Sequence, residues 1–385
     1  MGTNDNQISK KGINGTLKFL LLILLLASLA AMPFITWQFK KAVPIKVLIL
    51  DKTVPIKNYR EHRNIMWILN NRKFLNYYTG NYFQTEKDYT GYFPYPKNKD
   101  SKQDYHIKEL EKNLDGKIDL IYLADTYGVY RDDLRQEKPE GERSELIYGG
   151  LSSGEINSIK EILPGKTIIG EFNIFNSPTG MKEREEAGRI FGLQWTGWIF
   201  RWFPDLSRNN LEIPGWMVRS YEAQYNKEWS FNGPGFVYVN DDNSLFILED
   251  KVHVKEKGVK LFFDQNTEKE FGVKSNVSYY YWCEVVKAEG QVLGSFQIDV
   301  TEEGKKLLQK HGLGTQYPAL IKTDGDYKSY YFACDAADNN EVSFTYRVNW
   351  YSDFMRLMPV GTEGSGREFF WKVYSPFMNR ILDTL

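Results

Sequence analysis

The stretch Lys166-Thr-Ile-Ile-Gly-Glu-Phe-Asn-Ile-Phe175, continued by Asn176-Ser-Pro-Thr-Gly180 and by residues 181–193, decides how the whole chain is read. Thr167, Ile168 and Ile169 form a short apolar, β-branched run, the pattern of a strand buried on both faces in a parallel sheet. Glu171 and Asn173 follow where such a strand ends. Ser177 is placed to cap the next helix, with Pro178 at its first position. Glu183, Glu185 and Glu186 fall near the positive end of that helix, and Gly192 stands where a C′ glycine closes one. Strand, polar turn and helix make half of an α/β unit. In open α/β sheets ligands collect at the carboxyl ends of the strands, and Glu171 stands at such an end.

Upstream the same motif recurs. Residues 46–51 (Lys-Val-Leu-Ile-Leu-Asp) and 118–124 (Ile-Asp-Leu-Ile-Tyr-Leu-Ala) are two more buried strands, closed by Asp51 and Asp125. Helices are predicted over 60–71, with Ile65, Ile68 and Leu69 on one face, over 106–113, with Ile107, Leu110 and Leu114 so spaced, and from the capping box Ser152-Ser-Gly-Glu155 to Leu163. Residues 74–96, rich in Tyr and Gly, read as strand and loop, and the charged segment 131–143 as a solvent loop. This alternation predicts a flavodoxin-like parallel sheet with helices on both faces, within an α/β domain spanning 45–230. Trp195, Trp198, Trp202 and Trp216 crowd its end, a pattern of domain seams and of sugar-stacking surfaces alike. Residues 231–385 read as a β-rich region. It holds a hairpin around Asn240-Asp-Asp-Asn243, strands at 279–286, 292–300 and 328–333, a short helix capped by Thr301 and a closing helix over 368–382.

The N-terminus is of another kind. After a polar tail, residues 1–18, with Lys10, Lys11 and Lys18, residues 19–39 carry no charge and are long enough to cross a bilayer as a helix. Lys40 and Lys41 close the run, and Trp37 suits the interface. Ser28-Leu-Ala30 resembles a signal-peptidase site, but apolar residues continue past it through Met32, Phe34 and Ile35. The favoured reading is therefore a retained single-pass anchor, with a cytoplasmic tail, residues 19–39 in the cell membrane and the bulk of the chain extracytoplasmic.

Composition narrows the functional classes. The formal net charge is −1 with no basic block past the N-terminal segment, which argues against nucleic acid as a partner. There is no phosphate loop, dinucleotide fingerprint or nucleophile elbow, so no cofactor is expected. His62, His106, His253 and His311 are scattered, and Cys283 and Cys334 lie in no Cys-x-x-Cys, so no metal site is expected either. Whether the two cysteines pair in a disulfide or stay as buried thiols is open on sequence. Residues 335–340, Asp-Ala-Ala-Asp-Asn-Asn, lack the full spacing of a calcium loop and read as a solvated turn.

Buried strands ending in acids, then Gly170-Glu-Phe-Asn173 with Ser177-Pro-Thr179 and the Arg184 helix, then Phe191-Gly-Leu-Gln-Trp-Thr-Gly-Trp198, resemble the class I glutamine amidotransferase-like fold. The likeness, over roughly residues 45–230, is to its non-catalytic versions, such as the trimerisation domain of certain β-galactosidases. The catalytic members carry a glycine-flanked cysteine at a strand-to-helix elbow. Neither cysteine here lies in the α/β region, so glutamine hydrolysis is not implied and an enzyme is not favoured. The expected function is that of a membrane-anchored extracytoplasmic protein whose inactive amidotransferase-like domain binds a cell-envelope carbohydrate or partner protein. The alternative is a glycan-acting hydrolase using Asp125 and Glu171. Candidate ligand-binding residues are Asp51, Asp125, Tyr127, Glu171, Asn173, Arg184, Arg201 and Trp198.

Overall fold

In the computed structural model of the protein, the described residues are 15–98, 101, 103–111, 118–134, 144–337, 342, 344–358 and 366–385. The polar N-terminal tail up to residue 14, residues 112–113 of the helix expected over 106–113, most of the charged loop after residue 134 and the acidic turn at 338–340 lie outside them.

The chain opens with helix α1, Gly15–Phe39, 25 residues with Pro33 inside. It is long and apolar enough to cross a membrane, and its most apolar stretch is not buried against the body at all. Strand β1, Val47–Asp51, leads into α2, Arg60–Asn71, then β2, Thr90–Phe93, β3, His106–Lys108, and β4, Leu120–Asp125. Helix α3, Ser153–Ile162, β5, Thr167–Gly170, α4, Met181–Phe191, and the long β6, Leu193–Phe203, follow. Beyond them come α5, Gly215–Tyr225, the hairpin β7, Gly235–Asn240, and β8, Leu245–Glu249, then β9, Val259–Phe263, and α6, Gln265–Phe271. The other strands of the two large sheets are β10, Val277–Tyr279, β11, Cys283–Ala288, β12, Gln291–Gln297, β13, Gln316–Asp324, and β14, Lys328–Phe332, with α7, Glu302–Lys310, between β12 and β13. Helix α8, Tyr351–Leu357, precedes a closing helical segment that passes through a π turn, Phe370–Tyr374, into Ser375–Leu382.

Ten strands form one mixed sheet in the order β10-β9-β12-β13-β14-β5-β4-β1-β2-β3. Its centre, β14-β5-β4-β1-β2, is parallel, and both flanks are antiparallel. The wholly parallel sheet expected from the sequence is thus corrected to a mixed one: later hairpins extend the sheet from β14. The position between residues 230 and 231 falls between β6 and β7, which pair with each other, while β14 lies beside β5. Alternation along the central strands fills both faces. Ile49, Tyr122 and Ile169 join a core with α2, while Leu48, Leu50, Ile121, Leu123 and Ile168 join another with α3 and α4. The second sheet, β8-β7-β6-β11, is antiparallel and has α5 on its outer face.

Three local expectations are corrected. His106–Lys108 is an edge strand rather than part of a helix, because pairing with β2 satisfies its backbone. The α4 helix starts at Met181 with Gly180 as N-cap, not at Pro178, and the Ser177–Pro178 peptide is cis. Gly192 does close α4, at φ +64, the left-handed conformation glycine takes without steric cost. The capping box of Ser152 and Glu155 is formed in full. Trp37, read as an interfacial anchor, is instead buried against Tyr82 and Tyr346, and its indole N–H donates to the Asn71 carbonyl (2.9 Å).

Candidate functional site

Because β1, β4 and β5 are adjacent and parallel, their carboxyl ends share one edge, and Asp51, Asp125 and Glu171 stand there together. The chain leaves β1 for β2 on one side and returns to β4 on the other. The β1/β4 boundary is therefore a switch point, where such sheets open a crevice for ligands. A cleft of about 560 Å³ opens there, lined among others by Thr53, Asp125, Tyr127, Asn173, Asn176, Arg184, Trp216, Asp241 and Trp282.

Asp125 is the best-held polar group of this cleft. Its Oδ1 accepts from the Thr53 hydroxyl and the Tyr127 N–H, both at 2.6 Å, and its Oδ2 from the Asn173 side chain at 2.9 Å. Burial pushes its carboxyl up to about 6 against the pull of these donors, and the charge of Asp51 adds to the rise. Asn173 sits at φ +70, a conformation that asparagine tolerates better than most residues, and this turns its amide toward Asp125. Gly128 donates from its N–H to the Thr53 hydroxyl (2.8 Å). A Cβ there would stand 2.2 Å from the Tyr148 carbonyl oxygen, so only glycine fits where these two segments cross.

Asp51 does not reach the cleft. It is fully buried, contacts His62 Nδ1 at 2.5 Å and accepts from the Thr53 N–H at 2.9 Å, while His62 Nε2 lies 2.9 Å from the Thr85 carbonyl. Next in sequence, Lys52 is buried too. Its ammonium donates to the Gly150 carbonyl and to Glu155, each at 2.7 Å, tying the end of β1 to the start of α3.

Glu171 turns away from the cleft. It is 2% exposed, accepts from the Tyr122 hydroxyl and from the Ala337 N–H (2.9 Å), and Tyr122 in turn meets the Tyr374 hydroxyl at 2.6 Å. Burial pushes its carboxyl up to about 8, so at neutral pH it is largely protonated. The acids at this edge avoid mutual repulsion by a buried histidine, neutral donors and protonation. Arg184 lines the same cleft as Asp125 but is paired with Asp241, at 2.6 and 3.1 Å, and lies 4.8 Å over the Trp195 ring.

The remaining sequence candidates lie elsewhere. Trp198 packs edge-on against the stacked Phe246 and His311 rings in the core, while its neighbours Gly197 and Ile199 line the cleft. Arg201 pairs with Glu212 and stacks over Phe203 and Tyr281. Sequence reasoning missed Glu284. This fully buried acid on β11 accepts from the Asn173 N–H (3.3 Å), the Asn176 side chain (3.2 Å) and the Tyr331 hydroxyl, and burial pushes it up to about 8. It braces the Asn173–Asn176 turn from behind. Its signal was an acid lodged between Cys283 and Val285 in an otherwise apolar strand. Trp282, the residue before Cys283, was missed as a cleft aromatic. Cys283 and Cys334 oppose each other across an antiparallel bridge as free, buried thiols.

The lining of the cleft thus includes the Asp125 carboxyl, the Asn173, Asn176 and Asn240 amides, the Arg184–Asp241 pair and the Tyr127, Phe172, Trp216 and Trp282 rings, an assortment able to hydrogen-bond and stack on a polar ring compound. Comparison of the chain with protein-family models, with curated proteins and with solved structures finds no match.

Proposed function

We propose that this is a membrane-anchored extracytoplasmic protein whose amidotransferase-like, catalytically inactive body binds a cell-envelope carbohydrate in the cleft at the β1/β4 boundary. The observation that carries this reading is the pairing of Asp125, fixed by three donors, with the Tyr127, Trp216 and Trp282 rings in one open cleft. Sugar rings present apolar faces to aromatic planes and hydroxyls to such fixed acceptors. The parallel strands run β2-β1-β4-β5-β14, which in chain order is second, first, third, fourth, fifth. That succession supports the flavodoxin-like arrangement. Anchoring is supported by α1, and sidedness by the tendency of a single N-terminal anchor to leave a long following domain outside.

Binding is favoured over hydrolysis by the state of Glu171. A glycosidase pair needs two carboxyl groups facing the scissile bond, whereas Glu171 is enclosed by Tyr122 and Ala337. The test is saturation-transfer NMR of the full chain in detergent micelles against fragments of neutral, acidic and amino-sugar polysaccharides. Transfer to a sugar ring that disappears in Trp216→Ala supports the reading. Absence of transfer to every fragment, or release of reducing ends from any of them, overturns it.

A further inference from the structure

Helix α8 has an apolar stripe on its outside. Phe354 and Leu357 share one face of the helix, Trp350 and Met358 flank its two ends, and all four are exposed, Leu357 by 81%. The adjoining face, Tyr351 and Met355, packs on the core. Large apolar side chains grouped on the outside of the molecule are out of place in water.

Its position says what covers it. The Asn349 N–H donates to the Pro33 carbonyl (3.0 Å), the Asn349 amide to the Thr36 hydroxyl (3.1 Å), and Phe344 lies 6.0 Å from Phe34. The stripe therefore begins one residue from a contact with the last turns of α1. At ~1.5 Å per residue the uncharged run of 19–39 spans ~30 Å, about one hydrocarbon core. Pro33 then lies ~9 Å inside the charged end of that run. Residues held against Pro33 and Thr36 meet the bilayer boundary rather than bulk water. The charge pattern agrees: a groove beside α8 is lined by Lys40, Arg72, Lys269, Arg356 and Arg380 against three carboxylates. Cations at the rim of an apolar stripe are how interfacial helices meet anionic headgroups.

We propose that the face bearing α8 lies on the lipid bilayer, with Trp350, Phe354, Leu357 and Met358 in the acyl boundary and the cationic groove over anionic headgroups. The body is then fixed flat against the membrane and not merely tethered to it. This rests on α1 spanning the bilayer, and the test separates the two claims. The full chain is reconstituted into vesicles of phosphatidylcholine and phosphatidylglycerol, with nitroxide labels on the single variants L24C in α1, F354C and L357C in α8, and L211C in an exposed loop. Collision rates with oxygen and with a water-soluble nickel complex report depth. The expected result is an oxygen-to-nickel ratio at F354C and L357C several-fold above that at L211C, as at L24C. Ratios at F354C and L357C equal to that at L211C, with L24C still lipid-like, overturn the proposal while leaving the anchor in place. Labels at 354 and 357 shielded from both reagents indicate a protein cover, such as a second copy, and overturn it too. A water-like ratio at L24C removes the anchor and the proposal together.

Discussion

Strands β4 and β5 lie side by side, and each hands a buried acid to the same edge of the sheet, yet the two acids have different neighbours. Asp125 opens onto a cleft and is held by three donors from nearby loops. Glu171 faces a sealed pocket whose partners, Tyr122, Tyr374 and Ala337, come from distant parts of the chain. Strand position sets how far along the sheet an acid stands. Which way its side chain turns is set by what the rest of the fold brings to either side. Asp125 stands in the wall of the cleft, while Glu171 fastens the closing helix and the segment after β14 to the centre of the sheet.

The comparison breaks most visibly by truncating the fastener. Glu171→Ala leaves the Tyr122 and Tyr374 hydroxyls and the Ala337 N–H short of their acceptor inside the core. A loss of about 3 kcal/mol or more in urea unfolding is expected, since each stranded buried group costs ~1–3 kcal/mol. A loss below ~1 kcal/mol, within the ordinary effect of a surface change, would show that the pocket is not a fastener.

Next comes pH. Burial raises Asp125 to about 6 and Glu171 and Glu284 to about 8, all above the ordinary carboxyl values of 3.8 and 4.5. The folded state then holds more protons than the unfolded chain between those limits. The stability from these groups is complete below the ordinary carboxyl range and is lost as pH rises through about 6 and then about 8. Melting temperature should accordingly fall from pH 5 toward pH 9, and Glu171→Gln, which mimics the protonated acid, should flatten the slope. A wild-type curve that climbs over this range would contradict the assigned burial.

On the cleft side the effects are smaller and fall on ligand affinity. Trp216→Ala removes one half-buried aromatic face, for an expected affinity loss of about tenfold, or ~1.4 kcal/mol, in titration with whichever sugar fragment binds. An unchanged affinity would move the ligand elsewhere. The smallest effect concerns the thiols. Burial pushes both Cys283 and Cys334 well above the ordinary thiol range. Neither should react with a thiol reagent at pH 8 until denaturant is added, and rapid labelling of the native protein would contradict their placement.

Much of this architecture is legible in the residues. The apolar spacing of Ile65, Ile68 and Leu69 locates α2, the Ser152–Glu155 box locates α3, and Asn240-Asp-Asp-Asn243 marks the β7–β8 hairpin. The strand-end acids are legible as well, because each closes a short buried run. What is not legible depends on non-local pairing. His106–Lys108 carries helical spacing but is claimed by the edge of β2. Strand β14 reads as part of a later β region, yet it fits beside β5 because Lys328 to Tyr331 pair in parallel with Thr167 to Gly170. Helix α5 follows Pro214 and carries too weak an apolar stripe to announce itself. In the site, Asp125, Tyr127, Asn173 and Arg184 come together around one cleft, while Arg201 and Trp198 are spent on packing and pairing. Glu284 and Trp282 enter only because β11 crosses behind the edge of the other sheet.

The central claim is that Asp125 serves a ligand while Glu171 serves the fold. The direct measurement is saturation-transfer NMR on Asp125→Asn and Glu171→Gln beside the wild type, with the best-binding polysaccharide fragment and the melting temperature of each protein recorded at pH 7. The account expects Asp125→Asn to lose most of the transfer at nearly unchanged melting temperature, and Glu171→Gln to retain it. Loss of transfer in Glu171→Gln with its fold intact, beside full retention in Asp125→Asn, would contradict it.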